Sequence, residues 1–260
     1  NPVPRGAGLK RLEPPSDYLR PLVWCLMEPS VDAIILAAGR GVRLGHEQAK
    51  AFVPVLGKPL LAWTLLIFES IVRIRSVVTV VPPGLEDLCR SEIVQAFHLV
   101  KTQVVAGGKE RQDSLQSGFG LLPESCELVV VHDGARPLVT PLIVGHVLDA
   151  ARKHGAALAA VPVKDTVKEA AQGMVERTLD RSRLWLAQTP QAYHYRILKE
   201  ALEAARSTGI TATDDAALVE RLGKTVAVVS GSYENIKVTT PEDVWMAEYI
   251  LRKRLEAGQT

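Results

Sequence analysis

The chain runs Ala-Ile-Ile-Leu-Ala-Ala-Gly-Arg-Gly-Val-Arg-Leu-Gly from residue 33 to residue 45. The first five residues are apolar, and glycines follow them, which is the pattern of a buried strand that runs into a loop. Glycines in such a loop let backbone N–H groups approach a phosphate closely. A tight turn from strand to helix has the same composition, so the loop predicts a phosphate site only together with further evidence.

The loop spaces its glycines as Gly-x-Gly-x-x-x-Gly, at residues 39, 41 and 45. This is one residue longer than the dinucleotide-binding fingerprint, so the loop differs from that motif. A dinucleotide site also needs an acid at the end of the second strand, where the acid holds a ribose. The second predicted strand ends in Val80-Val81-Pro82-Pro83, without an acid. These two differences argue against a nicotinamide-dependent dehydrogenase.

Strand and helix patterns alternate along the rest of the chain, with apolar β-rich runs followed by helices that carry proline or hydroxyl start signals. We predict strands at 33–37, 76–81, 128–131 and 157–161, with a further strand that ends at 104–105, and helices at 59–71, 85–96, 111–121, 141–155 and from 241. This alternation predicts a Rossmann-like, three-layer α/β fold with a mainly parallel sheet covered on both faces. Ligands of such folds bind beyond the carboxyl ends of the strands.

Residues 164–188 break the alternation. They are polar, with short β-like pieces on either side of Gln172-Gly173, and this predicts a β-arm that projects from the sheet. An arm of this kind needs a surface to pack on, so a homodimer formed through the arm and an ordinary surface hairpin both stay open.

The composition limits the class of protein. The 260 residues include 31 Lys and Arg against 29 Asp and Glu, a net charge of +2, which argues against a nucleic-acid binder that works by bulk charge. No apolar run approaches the roughly 18 residues of a membrane span. The cysteines, Cys25, Cys89 and Cys126, are odd in number and widely spaced, which favours a reducing compartment such as the cytoplasm.

The first thirty residues contain six of the 16 prolines and no apolar periodicity. We interpret residues 1–26 as a disordered or non-native extension and residues 27–260 as a single domain. A plastid transit peptide is the less favoured interpretation, because the segment carries Glu13, Asp17 and the prolines. Residues 1–26 also hold a net charge of +2, so the remaining chain is formally neutral.

Two cations, Arg43 and Lys50, lie in and just beyond the glycine loop. Two positive charges beside such a loop suit a triphosphate, because they offset the charge that builds up when a phosphorus is displaced. Either cation alone is typical of a solvated surface charge. Their shared position beside the loop favours a role in binding phosphates.

The run Ala37-Ala38-Gly39-x-Gly41-x-Arg43, followed by Lys50, resembles the signature of nucleotidyltransferases that make activated sugars and alcohols. Further motifs follow in a fixed order and narrow this resemblance. They occupy residues 108–114, 132–137, 178–181, 188–191, 213–215 and 235–239. From about Val31 to about Arg254, the chain resembles the 2-C-methyl-D-erythritol 4-phosphate cytidylyltransferases.

The resemblance implies transfer of CMP from CTP to the phosphate of 2-C-methyl-D-erythritol 4-phosphate, with Mg²⁺ as cofactor. It implies Arg43 and Lys50 as catalytic cations and Asp133 as the metal ligand, while an ion pair between Asp133 and Arg136, or a turn cap, is the structural alternative. Asp113 or Ser114 could equally cap a helix, and His132 is expected to be a packed histidine. The implied CTP-binding residues are Ala37, Ala38, Gly39, Gly108, Ser114, Asp133 and Gly134.

For the acceptor, the resemblance implies hydroxyls that bind the polyol and cations that bind its phosphate. Arg181 lies on the arm and would complete the site of the other subunit of a homodimer. A ribitol 5-phosphate cytidylyltransferase is the alternative activity, and the 188–191 motif and the Lys237 region favour the erythritol enzyme. The implied acceptor-binding residues are Arg136, Thr166, Arg181, Thr189, Thr213 and Lys237.

Overall fold

A computed structural model describes residues 30–39, 49–212 and 214–258. The predicted extension at 1–26 and the predicted site residues Arg43 and Thr213 lie outside these ranges. Within them, no helix has both the length and the hydrophobicity that crossing a membrane requires.

The described chain alternates strands with helices, as the apolar pattern predicts. The strands are β1 Val31–Leu36, β2 Pro54–Val55, β3 Lys58–Pro59, β4 Ile74–Val81, β5 Thr102–Ala106, β6 Leu128–Asp133, β7 Ala156–Pro162, β8 Lys168–Ala171, β9 Met174–Thr178, β10 Trp185–His194 and β11 Ala227–Ser230. The α-helices are α1 Leu60–Ser70, α2 Glu86–Cys89, α3 Arg111–Phe119, α4 Pro141–His154, α5 Tyr195–Thr208, α6 Asp215–Arg221 and α7 Pro241–Glu256.

One seven-stranded sheet forms the centre of the fold, in the order β11-β7-β10-β6-β1-β4-β5. Its strand pairs are parallel except those of β10, which runs antiparallel to β6 and β7. Every residue of β1 and β6 is buried, as expected for strands covered on both faces. The mainly parallel α/β fold predicted from the sequence is therefore confirmed.

The two faces of the sheet have separate cores. Ile35 of β1 packs with Phe68 of α1 and Val147 of α4 on one face. Ile34 packs with Leu115 of α3 and Leu198 of α5 on the other. Neighbouring side chains of a strand point to opposite faces, so the continuous apolar run of β1 supplies both cores and makes the three layers.

Local start and stop signals place α4 and α7 as predicted, whereas the helix predicted at 85–96 is α-helical only over Glu86–Cys89. The Thr140 hydroxyl accepts a hydrogen bond from the N–H of Ile143 at 3.3 Å, and Pro141 begins α4. Gly155 ends that helix with a φ of 90°, which a residue with a side chain rarely adopts. Thr240 and Asp243 form a capping box at the start of α7.

The structure differs from the prediction after the arm. The projecting hairpin consists of β8 and β9, and Trp185 already pairs with Pro162 of β7 in the central sheet. The predicted segment 164–188 therefore contains both the hairpin and the start of β10. Polar residues made β10 hard to predict, because Gln188, Thr189 and Gln191 are buried with partners from distant parts of the chain.

Candidate active site

A cleft lies at the carboxyl ends of β1 and β6, where Leu36 and Asp133 are paired in register. The turn before α3 closes one side, and Lys50 and Lys237 approach from other parts of the chain. This is the edge at which ligands of parallel α/β sheets bind. The cleft is lined by residues 36–39, Lys50, Ala51, Leu60, residues 108–111, Ser114, residues 133–135 and Lys237.

The backbone approaches the floor of the cleft closely at Gly134. Its N–H donates to the carbonyl of Leu36 at 2.9 Å. A Cβ at this position would lie 2.9 Å from Leu61 Cδ1 and 3.0 Å from Ala37 Cβ, closer than such atoms pack. A side chain here would force Leu61 and Ala37 to shift, and glycine lets the strand ends meet without that movement.

The turn from Gly108 to Ser114 is held by its own polar groups. The Ser114 hydroxyl accepts from the N–H of Gly108 at 3.2 Å and donates to the carbonyl of Glu110 at 3.1 Å. Asp113 accepts from the N–H of Glu110 at 3.1 Å and completes a capping box at the start of α3. Glu110 is thus the N-cap residue, Asp113 is its capping-box partner, and Ser114 orders the turn that lines the cleft.

Asp133 is the central charge of the cleft and is only 5% exposed. Its carboxylate lies 2.5 Å from Arg111 Nη1, 2.8 Å from Lys237 Nζ and 3.5 Å from Arg136 Nε. Burial by itself would raise the pKa of Asp133, but the cations of Arg111, Lys237 and Arg136 hold it well below its usual range. The carboxylate is therefore ionised at any physiological pH. The ion pair with Arg136 considered from the sequence is present as one of three.

Arg111 links Asp133 to a second buried carboxylate. Its Nη2 lies 2.8 Å from Asp215 Oδ2, at the first residue of α6. Burial raises the pKa of Asp215, and Arg111 only partly offsets that rise. Sequence reasoning missed the role of both residues. Arg111 lies in the 108–114 motif and Asp215 in the 213–215 motif. An acid at the start of a helix commonly acts as a cap, so the sequence did not indicate an ion pair between the two.

A closed ring of hydrogen bonds lies behind Asp133, formed by Thr189, His132, Arg136 and Asn235. The Thr189 hydroxyl accepts from the N–H of Asp133 and contacts His132 Nδ1, each at 3.0 Å. His132 Nε2 faces the carbonyl of Arg136 at 3.2 Å. Arg136 Nη1 donates to the carbonyl of Asn235 at 2.7 Å, and Asn235 Nδ2 donates to the carbonyl of Thr189 at 2.9 Å.

The ring determines the state of His132. Because Nε2 faces a carbonyl it must donate, so Nδ1 accepts the hydroxyl proton of Thr189. Burial lowers the pKa of His132 to about 4, which agrees with a neutral ring. His132 also packs against Phe68 with ring centroids 5.1 Å apart. The expectation of a packed histidine agrees with these contacts, which also join β6 to β10.

Comparison with known proteins decides the family. The sequence profile of the 2-C-methyl-D-erythritol 4-phosphate cytidylyltransferases matches residues 31–253. The chain belongs to this family. The enzyme of that name from Pelotomaculum thermopropionicum is 49% identical over 226 residues, covering 86% of this chain and 95% of the relative. The one from Syntrophus aciditrophicus is 47% identical over 229 residues, covering 87% and 98%.

Solved structures agree with the assignment. The crystal structure of 2-C-methyl-D-erythritol 4-phosphate cytidylyltransferase from Thermus thermophilus is 37% identical with a TM-score of 0.72, covering 87% of this chain and 100% of that one. That of 4-diphosphocytidyl-2C-methyl-D-erythritol synthase from Anaerococcus prevotii is 31% identical with a TM-score of 0.78, covering 86% and 97%. The fold and the family are thus supported by independent comparisons.

The cytidylyltransferase fold brings most of the predicted site residues to the cleft. Arg136 and Thr189 lie behind it, in the hydrogen-bond ring. Thr166 and Arg181 are exposed near the base of the arm, where Arg181 Nη1 donates to the carbonyl of Lys164 at 2.6 Å. The predicted residues that line the cleft are Ala37, Ala38, Gly39, Lys50, Gly108, Ser114, Asp133, Gly134 and Lys237.

Proposed function

We infer that this chain transfers CMP from CTP to 2-C-methyl-D-erythritol 4-phosphate, giving 4-diphosphocytidyl-2-C-methyl-D-erythritol and pyrophosphate. Membership of the family supports the reaction. The observation that carries it is a cleft at the strand ends that is lined by Lys50, Arg111 and Lys237 and in which Arg111 and Lys237 contact the buried carboxylate of Asp133. Such a surface binds a polyanion and leaves a fixed negative charge at its centre. The relatives reported above carry the erythritol name, so the ribitol acceptor is not favoured.

The reaction needs no general base from the protein. A phosphate oxygen of the acceptor attacks the α-phosphorus of CTP and forms the new O–P bond. The bond from the α-phosphorus to the bridging oxygen of pyrophosphate breaks, and its electron pair leaves with the pyrophosphate. Charge accumulates on the phosphate oxygens during this exchange, so positioned cations provide most of the catalysis. We propose Lys50, which lines the cleft, and Arg43 as these cations. For Arg43 the support is the resemblance alone.

The other site residues divide into those proposed to bind CTP and those proposed to bind the acceptor. We propose that the backbone of Ala37, Ala38, Gly39 and Gly134 faces the phosphates, and that Gly108 and Ser114 contact the base. For the acceptor phosphate we propose Lys237, whose side chain is 43% exposed at the cleft, with Arg136 beside it. The support for Thr166, Arg181, Thr189 and Thr213 as acceptor-binding residues is the resemblance.

We propose Mg²⁺ as the cofactor. Among the described residues there is no group of three or more His, Cys, Asp or Glu side chains that could form a metal cage. A single ionised carboxylate beside a triphosphate still fits Mg²⁺, which commonly binds one or two carboxylates, waters and substrate phosphates. Asp133 would hold it, because its pKa is low and a carboxylate has about four lone-pair sites, of which Arg111, Lys237 and Arg136 face three. When bound, the ion would neutralise part of the phosphate charge.

Pyrophosphate release tests the proposed reaction. The chain is incubated with CTP, Mg²⁺ and either 2-C-methyl-D-erythritol 4-phosphate or ribitol 5-phosphate, and a parallel series omits Mg²⁺. We expect release with the erythritol acceptor and none without the metal. Preferential turnover of ribitol 5-phosphate would contradict the acceptor assignment, and full activity in chelator would contradict the cofactor.

The turn at Gly108 gives a prediction about nucleotide binding. A Cβ at Gly108 would lie 2.2 Å from Asp113 Cβ, so Gly108→Ala must open the turn. We expect a loss of stability of about 1–3 kcal/mol and a raised Kd for CTP, measured by thermal melting and calorimetry. Gly145→Ala is the matched control, since a Cβ there meets open space within α4. A Gly108→Ala protein that binds CTP normally would exclude this turn from the nucleotide site.

We further propose that the arm forms a homodimer. Every residue of β8 and β9 is exposed, including Met174 at 73% and Val175 at 62%. Trp185 and Leu186, at the start of β10, are also exposed. Apolar side chains grouped on a projecting hairpin are typical of a surface that packs on another chain. In the homodimer Arg181 would act in the site of the other subunit.

Mixing two inactive variants tests the shared site. Lys50→Ala and Arg181→Ala proteins are combined under conditions that allow subunits to exchange. If Arg181 serves the neighbouring site, a mixed dimer contains one site with both residues, so the mixture should turn over faster than either parent. Failure to recover activity, with exchange verified by labelled subunits, would place Arg181 in its own subunit's site.

We also propose a cytoplasmic location. Cys89 and Cys126 are free and buried among the described residues, which suits a reducing compartment.

A further inference from the structure

Arg111 is shared between two buried carboxylates that come from distant parts of the chain. Its Nη1 contacts Asp133 at 2.5 Å and its Nη2 contacts Asp215 at 2.8 Å. Asp215 is 2% exposed and does not line the cleft, whereas Arg111 and Asp133 do. Asp215 therefore touches the site only through the guanidinium of Arg111.

The start of α6 is anchored, so Asp215 is a fixed point. Gln191, on β10, donates from Nε2 to Asp214 Oδ2 at 3.0 Å and accepts from the N–H of Ala216 at 3.1 Å. The hydroxyl of Tyr193 donates to Gln191 Oε1 at 2.6 Å. The bond between Gln191 and the N–H of Ala216 holds the backbone next to Asp215 to the central sheet without the side chain of Asp214, so the carboxylate of Asp215 keeps its place when that side chain is removed.

The planar guanidinium of Arg111 can bind one carboxylate with two N–H groups or two carboxylates with one each, so the presence of Asp215 changes how Arg111 contacts Asp133. An arginine facing one carboxylate tends to bind both of its oxygens with two parallel N–H bonds. Here Asp215 occupies Nη2, so Arg111 contacts only Oδ1 of Asp133. The other oxygen, Oδ2, is left to Lys237 at 2.8 Å, to Arg136 Nε at 3.5 Å and to whatever binds in the cleft.

We propose that Asp215 is a positioning residue for the reaction: it holds Arg111 in a single-contact arrangement and so keeps one oxygen of Asp133 available at the CTP site. This rests on the proposed function. Without Asp215, the guanidinium turns onto both oxygens of Asp133 or towards the phosphates, and the central charge of the cleft is masked. The site also becomes more positive by one charge, which favours binding of a polyanion. Turnover and CTP binding therefore respond in opposite directions.

Kinetics of Asp215→Ala test this, with Asp214→Ala as the matched control. Both changes remove one carboxylate from the start of α6, but Asp214 caps the helix and does not contact Arg111. We expect kcat to fall about tenfold or more in Asp215→Ala with the KM for CTP unchanged or lower. Asp214→Ala should lose stability and retain kcat. A purely structural role would instead lower kcat in both variants in step with their melting temperatures, and that result would overturn the proposal. Asp215→Asn serves if the alanine variant does not fold.

A double variant tests the route through Arg111. In an Arg111→Gln background, Asp215→Ala should lower kcat no further, because the side chain it orients is gone. An undiminished second loss would mean that Asp215 acts by another path, and the inference would fail.

Side-chain NMR separates this inference from the proposed reaction. With ¹⁵N-labelled arginine, Arg111 is assigned by the signal that Arg111→Gln removes. Two carboxylate contacts should slow rotation of its guanidinium in the wild type, and Asp215→Ala, but not Asp214→Ala, should release it. Equal rotation in all three would overturn the inference whatever the enzyme's activity. An inactive wild type with a restrained Arg111 would contradict the proposed reaction alone.

Discussion

Replacing Lys50 with alanine is expected to lower kcat by about a hundredfold to a thousandfold while the protein keeps its fold. Lys50 lines the cleft and begins the short helical turn Lys50–Phe52, in which Ala51 is the buried residue. The substitution therefore removes a cation from the reacting phosphates and leaves the packing of that turn unchanged. Pyrophosphate release measures kcat, and circular dichroism with thermal melting measures the fold.

Lys199→Ala is the matched control, since it removes the same charge from an exposed position on α5. It should leave both kcat and the melting temperature close to wild type. If Lys50→Ala turns over at a rate near that of Lys199→Ala, Lys50 does not stabilise the transition state and its role as a catalytic cation must be abandoned.

Asp133→Asn is expected to affect turnover and stability together. The amide keeps the shape of the side chain but leaves Arg111, Arg136 and Lys237 without their shared carboxylate. Removing one member of a buried charge cluster costs about 3–5 kcal/mol, and losing the central charge of the site should lower kcat by about a thousandfold. Denaturant titration and initial-rate kinetics measure the two effects.

An added anion distinguishes this effect from general damage. Because Arg111 and Lys237 line the cleft and lose the carboxylate of Asp133 in this variant, pyrophosphate should raise the melting temperature of Asp133→Asn more than that of the wild type. Asp149→Asn breaks an exposed pair with Arg73 and should change little. Equal stabilisation of Asp133→Asn and wild type by pyrophosphate would show that the cations are not held together by Asp133.

The layers of the fold and the position of the site were predictable because their signals are local. The apolar run that becomes β1, the proline and threonine that begin α4, and the glycine that ends it each act within a few residues of sequence. In a parallel sheet the carboxyl ends of neighbouring strands lie at one edge, which is where ligands bind, and Leu36 at the end of β1 lies beside Asp133 at the end of β6.

The existence of β10 and the point at which the arm ends could be recognised only from the tertiary structure. Gln188, Thr189 and Gln191 look like loop residues when read along the chain, because burying an amide or hydroxyl is costly without a partner. Their partners come from elsewhere: Ser232 for Gln188, His132 for Thr189 and Asp214 for Gln191. A strand whose polar groups are satisfied at long range carries no alternating pattern to find.

The sequence by itself determined the fold class and the edge of the sheet that carries the site, because apolar periodicity, glycine and capping residues act over short stretches. Its ordered motifs indicated the family through their resemblance to known enzymes. Only the tertiary structure decided how the charges are arranged. Arg111 and Asp215 are 104 positions apart, yet they share an ion pair that sets the contacts of Asp133. An ion pair depends on distances of a few ångströms in space, and spacing along the chain does not encode those distances.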